Sequence, residues 1–432
     1  MKKFISFVLV FLMIALCSCS GKPNSDISAD GRGMDTNLQN ELYIFEALSG
    51  NDVKQIDENF TAAFGKSAFD YFGKAIEDRR ENNFLISPLS IYIALAMTAC
   101  GAGGETLSQM EGVLGDISIS DAAKYINSLT ADLSANKNIT LGLANSIWVR
   151  DNKNMIEVNE VFLDITRDYF SADVKKAKFD NATLKDINNW IEEKTNGMIR
   201  EMLDKIDDST VMYLINALVF EADWADVYEA AQLSEADFFG YGGEKIRTEL
   251  MYSTEEYYIS DERTVGFIKP YADSRYGFAA LLPDSDIDIF EYASSLTGED
   301  FAALLDSKEK AVVSAAMPQF SYEYSDSLVE ELKALGMTDA FSASTSDLRG
   351  LGISSMGNIF VSDVLHKTFI EVSPKGTKAG AATVVVADTE CCEMPINNKV
   401  YEVILDRPFV YVITDLKSGI PLFIGVLSEV DG

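Results

Sequence analysis

The stretch that decides the fold lies near the C-terminal end of the chain and reads Gly376-Thr377-Lys378-Ala379-Gly380-Ala381-Ala382-Thr383. Small side chains bury little area, so packing alone cannot hold this segment in one shape. Every second residue from Thr377 is small or apolar and uncharged; this set is Thr377, Ala379, Ala381, Thr383, Val385 and Ala387. The alternate set contains Lys378 and Asp388. The pattern predicts a segment that can enter a sheet with one face buried, and a flexible surface loop is the alternative.

Strand-like runs flank this segment at 359–372 and 401–410. Other motifs follow one another along the chain; they are Asn83–Ile91, Gly101–Thr106, Asn216–Trp224, Met317–Phe320, Leu335–Met337, Asp406–Phe409 and Pro421–Gly425. Together with the small-residue loop, they resemble the serpin family in composition and order. The resemblance implies an α+β class and the serpin fold, with about nine helices around three β-sheets and a mobile reactive-centre loop. It implies one serpin domain over residues 60–432.

The net charge of the chain limits the classes of molecule that it is expected to bind. The chain carries 36 basic and 68 acidic residues, a net charge of −32. Nucleic-acid binding requires basic patches that neutralise phosphates, so no nucleic-acid partner is expected. The same balance disfavours adhesion to anionic lipid by charge. We expect a soluble monomeric domain whose acidic surface serves solubility first and steering of cationic partners second.

The N-terminus predicts export. Met1-Lys2-Lys3 is basic, and the apolar run from Phe4 to Leu16 has secretory length but is short for a bilayer span. The sequence around Cys19 resembles a bacterial lipobox, with cleavage before that residue and lipid on its thiol. Residues 1–18 are thus predicted to be a lipoprotein signal peptide, and an ordinary signal peptide is the alternative. Residues 19–59 are polar at their start and are predicted to be a lipid-anchored flexible tether on the extracellular face of the membrane.

Catalytic and metal-binding patterns are absent from the sequence. It contains one histidine and lacks a Gly-x-Ser-x-Gly elbow, a His-Glu-x-x-His helix and a phosphate loop. Five cysteines show no zinc-type spacing. Cys100 ends an apolar helical run and is predicted to be a buried thiol. We therefore expect no enzyme, no cofactor and no bound metal.

The resemblance assigns the lone histidine to the family's shutter, a polar cluster beneath the central sheet. This cluster is Ser87, Ser90, Asn216 and His366. Buried polar groups are tolerated only when their hydrogen bonds are made. The cluster lies where the strands must separate, so it is expected to influence how readily they do so.

The mechanism that the resemblance implies is mechanical. A serine protease attacks the loop and forms an acyl-enzyme. The cleaved segment then inserts into the central sheet, and the attached protease is carried to the far pole before hydrolysis finishes. Insertion depends on uncharged small residues at the hinge, which here are Gly376, Thr377, Ala379, Ala381, Ala382 and Thr383. They favour an inhibitory member of the family.

The breach, at the top of the sheet, departs from the family. We define it by Trp224, Gln319 and Pro374. The family usually pairs a glutamate at the hinge with a lysine in the neighbouring strand, and here Pro374 and Gln319 occupy those positions. Because both partners are absent, no buried charge is left without a partner. Pro374 also removes a backbone donor where a strand should end.

The position of the scissile bond is open to within a few residues. The family's usual distance from Gly376 places it between Glu390 and Cys391, and a shift of one residue brings Thr389 or Cys392 to the bond. Counting back from Pro408 places it further downstream. Thr389 or Cys391 before the bond suits an elastase- or subtilisin-like protease, our first expectation. Glu390 there suits a glutamyl-specific protease, our second.

A different class of function also fits this fold. The chain can be a non-inhibitory surface lipoprotein that uses the serpin scaffold as a binding module. Heat stability separates the two, because an inhibitory serpin should gain a large rise in melting temperature once its loop is cut. A binding module should not.

Overall fold

The computed structural model describes residues 7–16, 48, 53–77, 79, 82–135, 140–195, 197, 202–377 and 399–430. Within these residues the chain forms nine α-helices and three β-sheets, so the predicted α+β class is confirmed. The helices are α1 (Glu58–Ile76), α2 (Pro88–Ala99), α3 (Gly104–Val113), α4 (Ile119–Ala135), α5 (Glu160–Phe170), α6 (Asn181–Lys194), α7 (Ile289–Ser295), α8 (Gly298–Asp306) and α9 (Val329–Ala334).

A seven-stranded sheet, called here the central sheet, contains the loop hinge. Its strands are β1 (Phe7–Leu16), β3 (Thr140–Arg150), β5 (Ala172–Ala177), β6 (Thr210–Asp223), β12 (Phe320–Ser327), β14 (Ile359–Ser373) and β15 (Gly376–Thr377). From one side the order is β12, β14, then β1 and β15 together, then β6, β3 and β5. Only β3 and β5 pair in parallel within the described part of this sheet.

A second sheet has nine strands. Its strands are β2 (Phe84–Ile86), β7 (Leu233–Phe239), β8 (Lys245–Ser260), β9 (Thr264–Pro270), β10 (Tyr276–Pro283), β11 (Glu309–Pro318), β16 (Val400–Ile404), β17 (Phe409–Asp415) and β18 (Pro421–Leu427). Strands β4 (Glu157–Val158) and β13 (Gly352–Ile353) form the third sheet. Every residue of β10, β17 and β18 is buried, as expected for strands covered on both faces.

Helix α2 joins the two large sheets. All of its residues are buried, and it packs against β6 on one side and β18 on the other. Ser87 is its N-cap, with the hydroxyl accepting a hydrogen bond from the Ser90 N–H at 3.3 Å, and Pro88 occupies the first turn, where no N–H is needed. The cap fixes the start of the helix directly beneath the central sheet. Cys100, at the other end, is buried as predicted.

Strand β1 comes from the segment predicted to be a signal peptide. It lies between β14 and β6 and runs antiparallel to both. An N-terminal strand therefore fills, over this length, the place between β14 and β6 in the central sheet, the sheet into which the cleaved loop is expected to insert. The cleavage before Cys19 and the domain limits at 19–59 and 60–432 remain predictions. Among the described residues, none of the helices is both long and apolar enough to cross a membrane.

Candidate functional site: the loop hinge and the central sheet

The hinge turn, residues 373–377, connects β14 to the start of the reactive loop. Strand β14 ends at Ser373, and Pro374 follows, where a missing N–H costs no ladder hydrogen bond. The chain reverses and enters the central sheet as β15. Thr377 lies opposite Val372 of β14 on one side and Ala222 of β6 on the other. The first residues of the loop are thus already a strand between β14 and β6.

Gly376 is required by a close approach of two backbones. A Cβ atom at this position would lie 2.2 Å from the carbonyl oxygen of Ala222, closer than any real contact. Thr377 is fully buried, and its hydroxyl lies 2.7 Å from the hydroxyl of Tyr271. Thr377, the first residue of the alternating set predicted to face the interior, thus lies in the core of the protein. A charged side chain at this fully buried position would lose its contact with water, which is costly.

Trp224 of the breach and the nearby Tyr228 hold the hinge turn through backbone carbonyls. The indole Nε1–H of Trp224 donates to the carbonyl of Ser373 at 2.9 Å, and the Trp224 backbone N–H donates to Lys375 at 2.9 Å. The Tyr228 backbone N–H donates to Pro374 at 2.8 Å. Trp224 also stacks on Tyr271, with ring centroids 4.7 Å apart. Three successive carbonyls are therefore fixed by two aromatic residues.

Gln319 takes up a different partner from the one that the family pattern would supply. Its side-chain amide donates to the Glu249 carboxylate at 2.5 Å. It lines a surface cleft of about 480 Å³ together with Ser373, one residue before Pro374. The structure thus places all three predicted breach residues around the top of the central sheet, with Trp224 making the hinge contacts.

The shutter residues divide into two groups. His366 is fully buried, and its Nε2 accepts a hydrogen bond from the Ser87 N–H at 3.2 Å. Nε2 therefore carries no proton. The side-chain amide of Asn216 instead donates to Asn145 at 2.7 Å. Asn216 and His366 both lie opposite Val10, so β1 separates them. The expected four-residue cluster is split by the strand that fills the sheet.

The register shows that β1 occupies the path of the loop. Thr377 is opposite Val372, so continuing the strand would place Ala379 opposite Ile370 and Gly380 opposite Phe369. Phe369 is the residue that Phe7 faces, and both segments run in the same direction. The N-terminal strand and an inserted loop would therefore occupy the same place between β14 and β6, called here the slot.

Several predicted site residues lie outside the described part of the chain. These are the lipidation residue Cys19, the hinge residues Ala379, Ala381, Ala382 and Thr383, and the residues around the predicted bond, Thr389, Glu390, Cys391 and Cys392. Their assignments remain predictions. Within the described ranges, no group of histidine, cysteine and acidic side chains could hold a metal ion.

Sequence reasoning did not find the layer behind Trp224. Tyr271 stacks on the indole and the Lys269 ammonium lies 5.5 Å from its ring centre. Lys269 also contacts the Tyr228 ring and forms a buried ion pair with Glu255 at 2.8 Å. The sequence contains one indication that Lys269 is buried. This residue directly continues the apolar run of β9 and is followed by a proline. No pattern pointed to Glu255 as its partner.

Comparison with known proteins agrees with this geometry. Residues 62–430 match the family model described as Serpin (serine protease inhibitor). The chain belongs to the serpin family. The family description and the names of the curated relatives are those of protease inhibitors and not of catalytic enzymes, in agreement with the expectation that the chain is not an enzyme. The chain is 30% identical to the leukocyte elastase inhibitor of Xenopus laevis over 386 residues, covering 86% of this chain and all of the relative.

Solved serpin structures match over a similar length. The thermophilic serpin tengpin in its native state is 44% identical, with a TM-score of 0.80 over 88% of this chain and 97% of that one. Tengpin in its latent state is 42% identical, with a TM-score of 0.78 over 88% of this chain and the whole of that one. The predicted serpin fold is confirmed.

Proposed function

We propose that this serpin is a suicide-type inhibitor that traps a serine protease as its acyl-enzyme by inserting the cleaved loop into the central sheet. One observation carries the proposal. Gly376 and Thr377 already lie between β14 and β6, and their register leads straight into the slot. The strand in that slot belongs to the segment predicted to be removed during export. Its removal leaves a strand-wide opening for the loop.

The composition of the loop supports insertion. Ala379, Ala381 and Thr383 would follow Thr377 on the inward face, and none is charged or bulky. At about 3.3 Å per residue, some fifteen residues of strand span roughly 50 Å. The acylated protease would be carried over that distance before water completes hydrolysis.

For the target, we propose an elastase- or subtilisin-like serine protease, with a glutamyl-specific enzyme second. The Xenopus laevis relative is named a leukocyte elastase inhibitor, which favours the first class. Val384-Val385-Val386-Ala387 precedes the predicted bond and suits apolar subsites. The mature protein is a monomer on the extracellular face of the membrane, held only by lipid on Cys19.

The test uses the mature chain, residues 19–432, which contains the whole region matched to the family. It is incubated with neutrophil elastase, pancreatic elastase, subtilisin and a glutamyl endopeptidase, and boiled samples are run on a denaturing gel. We expect a covalent band of summed mass with one of the first three. Mass spectrometry of the released C-terminal peptide locates the bond. Loop cleavage by all four without such a band overturns the inhibitory mechanism and leaves the binding module.

A further inference from the structure

Lys269 and Glu255 form an ion pair inside the protein, directly behind the breach. The Lys269 ammonium lies 2.8 Å from Oε1 of Glu255, and the two side chains are 2% and 6% exposed. Removing two charges from water is costly unless they are paired and hydrogen-bonded. A pair held at this depth has partners that offset the cost.

The first partners are aromatic rings. The Lys269 ammonium lies 4.4 Å from the ring centre of Tyr228 and 5.5 Å from that of Trp224. Cations are attracted to ring faces within about 6 Å, and the attraction is stronger without water. These are the same two residues whose N–H groups hold the carbonyls of Ser373, Pro374 and Lys375. The ammonium thus touches both residues that hold the hinge turn.

Glu255 is also connected to Tyr228 through the hydroxyl of Ser253. The Ser253 hydroxyl donates to Oε1 of Glu255 at 2.6 Å, and the Tyr228 hydroxyl lies 3.3 Å from that of Ser253. Lys269, Tyr228, Ser253 and Glu255 therefore form a closed circuit of contacts. Because the circuit fixes the Tyr228 ring at both its face and its hydroxyl, the backbone of Tyr228 is fixed beside Pro374.

We propose that Lys269 and Glu255 are positioning residues that hold Trp224 and Tyr228 against the hinge turn and so set the rate at which the loop enters the central sheet. The proposal rests on the inhibitory function proposed above. Neither residue touches the protease or the scissile bond. The pair keeps residues 373–377 in their present shape until cleavage releases the loop.

A positioning role and a purely structural role predict different effects on the intact protein and on the loop-inserted protein. A structural ion pair would stabilise the intact and loop-inserted forms alike. A positioning pair mainly stabilises the intact form, because we infer that the hinge turn must loosen its contacts with Trp224 and Tyr228 before the residues after Thr377 can follow it into the sheet. Removing the ammonium should therefore speed entry and loosen the hinge amides without an equal loss in the cleaved protein.

The test compares Lys269→Met with Lys310→Met, which removes a lysine from an exposed pair with Glu256, the residue after Glu255. Hydrogen exchange of the Trp224 and Tyr228 amides is measured on the full chain, with the β17 and β18 amides as internal reference. Spontaneous loop entry is measured on residues 19–432 as loss of loop cleavage during incubation. Lys269→Arg tests rescue, since it keeps the charge and its contact with the rings.

For Lys269→Met we expect exchange of the two amides and spontaneous loop entry to accelerate about tenfold, a change of roughly 1.4 kcal/mol. Lys310→Met should match the unchanged protein, and Lys269→Arg should recover most of the difference. Unchanged exchange and entry in Lys269→Met, or equal falls in the melting temperatures of intact and cleaved forms, overturn the proposal.

A second variant guards against misfolding. If Lys269→Met does not fold, replacing both partners, as Lys269→Met with Glu255→Leu, removes the stranded charge, a change that buried pairs often tolerate. That double variant should show the same faster entry, and normal entry in it overturns the proposal. If the unchanged protein forms no complex with any protease, the inhibitory function fails. The exchange of the Trp224 and Tyr228 amides then still decides whether the pair holds the hinge.

Discussion

The backbone N–H of Ser87 donates to Nε2 of His366 across 3.2 Å and so ties the start of helix α2 to the middle of strand β14. Both groups are fully buried. Helix α2 packs on β6 as well, so this hydrogen bond lies at the junction where β14 and β6 must stay apart or come together. Its strength should affect the central sheet as a whole.

Replacing His366 with alanine should lower the free energy of unfolding by about 2 kcal/mol, since the buried Ser87 N–H loses its acceptor. We also expect a changed rate of loop insertion, with no chemical step abolished. Denaturant unfolding and the number of inhibitor molecules consumed per protease measure the two effects. His366→Gln, which can present an acceptor oxygen, serves as the comparison. Unchanged unfolding together with unchanged inhibition in His366→Ala would refute the shutter assignment.

Placing a charge at Thr377 should turn an inhibitor into a substrate. Thr377→Arg puts a guanidinium into a fully buried site beside Tyr271. We expect the loop to be cleaved at the normal rate while the fraction of covalent complex falls about tenfold or more, because a buried charge without a partner costs several kcal/mol. The comparison is Lys375→Arg, at an exposed position of the same turn. Equal complex formation by the two variants would show that a charge at position 377 does not hinder insertion of the loop.

Because β1 fills the slot between β14 and β6, we expect the full chain and the chain without residues 1–18 to respond differently to a protease. The full chain should be cut in its loop without forming a complex, and cleavage should barely change its melting temperature. The chain without residues 1–18 should form the complex and melt at a much higher temperature once cut. Differential scanning calorimetry measures the melting temperatures, and denaturing gels show whether the covalent complex forms.

A backbone variant provides the control for that experiment. Val10→Pro removes an N–H from the middle of β1, which lies between two strands. It should release β1 and make the full chain behave like the shortened one. If the full and shortened chains inhibit equally well, β1 does not compete with the loop.

Cys100 should resist thiol reagents while the protein is folded. Burial raises the pKa of the Cys100 thiol, so little thiolate is present at pH 8. With Cys17 and Cys19 replaced by serine, we expect a disulfide reagent to label Cys391 and Cys392 quickly and Cys100 only on unfolding. Counting released chromophore with and without denaturant tests this, and rapid folded-state labelling at Cys100 would contradict it.

The raised pKa of the Cys100 thiol also predicts how the stability of the protein changes with pH. The thiol pKa is higher in the folded state than in the unfolded chain, where it is about 8.5. The contribution of Cys100 to stability is therefore complete below that pH and is lost as pH rises through the folded pKa. A Cys100→Ala variant should show a weaker fall in stability above about pH 8.5 than the unchanged protein.

Motif order was enough to predict the serpin architecture and the place of Trp224, and the alternation of every second residue predicted that Thr377 faces inward. These depend on local spacing and on residues that only one backbone geometry accepts, as with Gly376 beside Ala222. The Lys269–Glu255 pair was missed because charged residues usually lie on the surface, and its partners are on neighbouring strands whose register no local pattern specifies. The place of β1 was missed because an apolar run fits a buried strand and a signal peptide equally well.

Gly376 gives the loop a fixed origin, because its contact with the Ala222 carbonyl allows no other residue and no slippage. In a loop inserted as a strand, every later residue would have a parity, with odd positions facing the interior and even positions facing outward. An insertion of one residue after Thr377 would exchange the faces and turn Lys378 or its successors inward, whereas an insertion of two would keep the faces and only lengthen the travel of the protease. Natural or engineered variants of this loop should therefore tolerate changes of length in pairs.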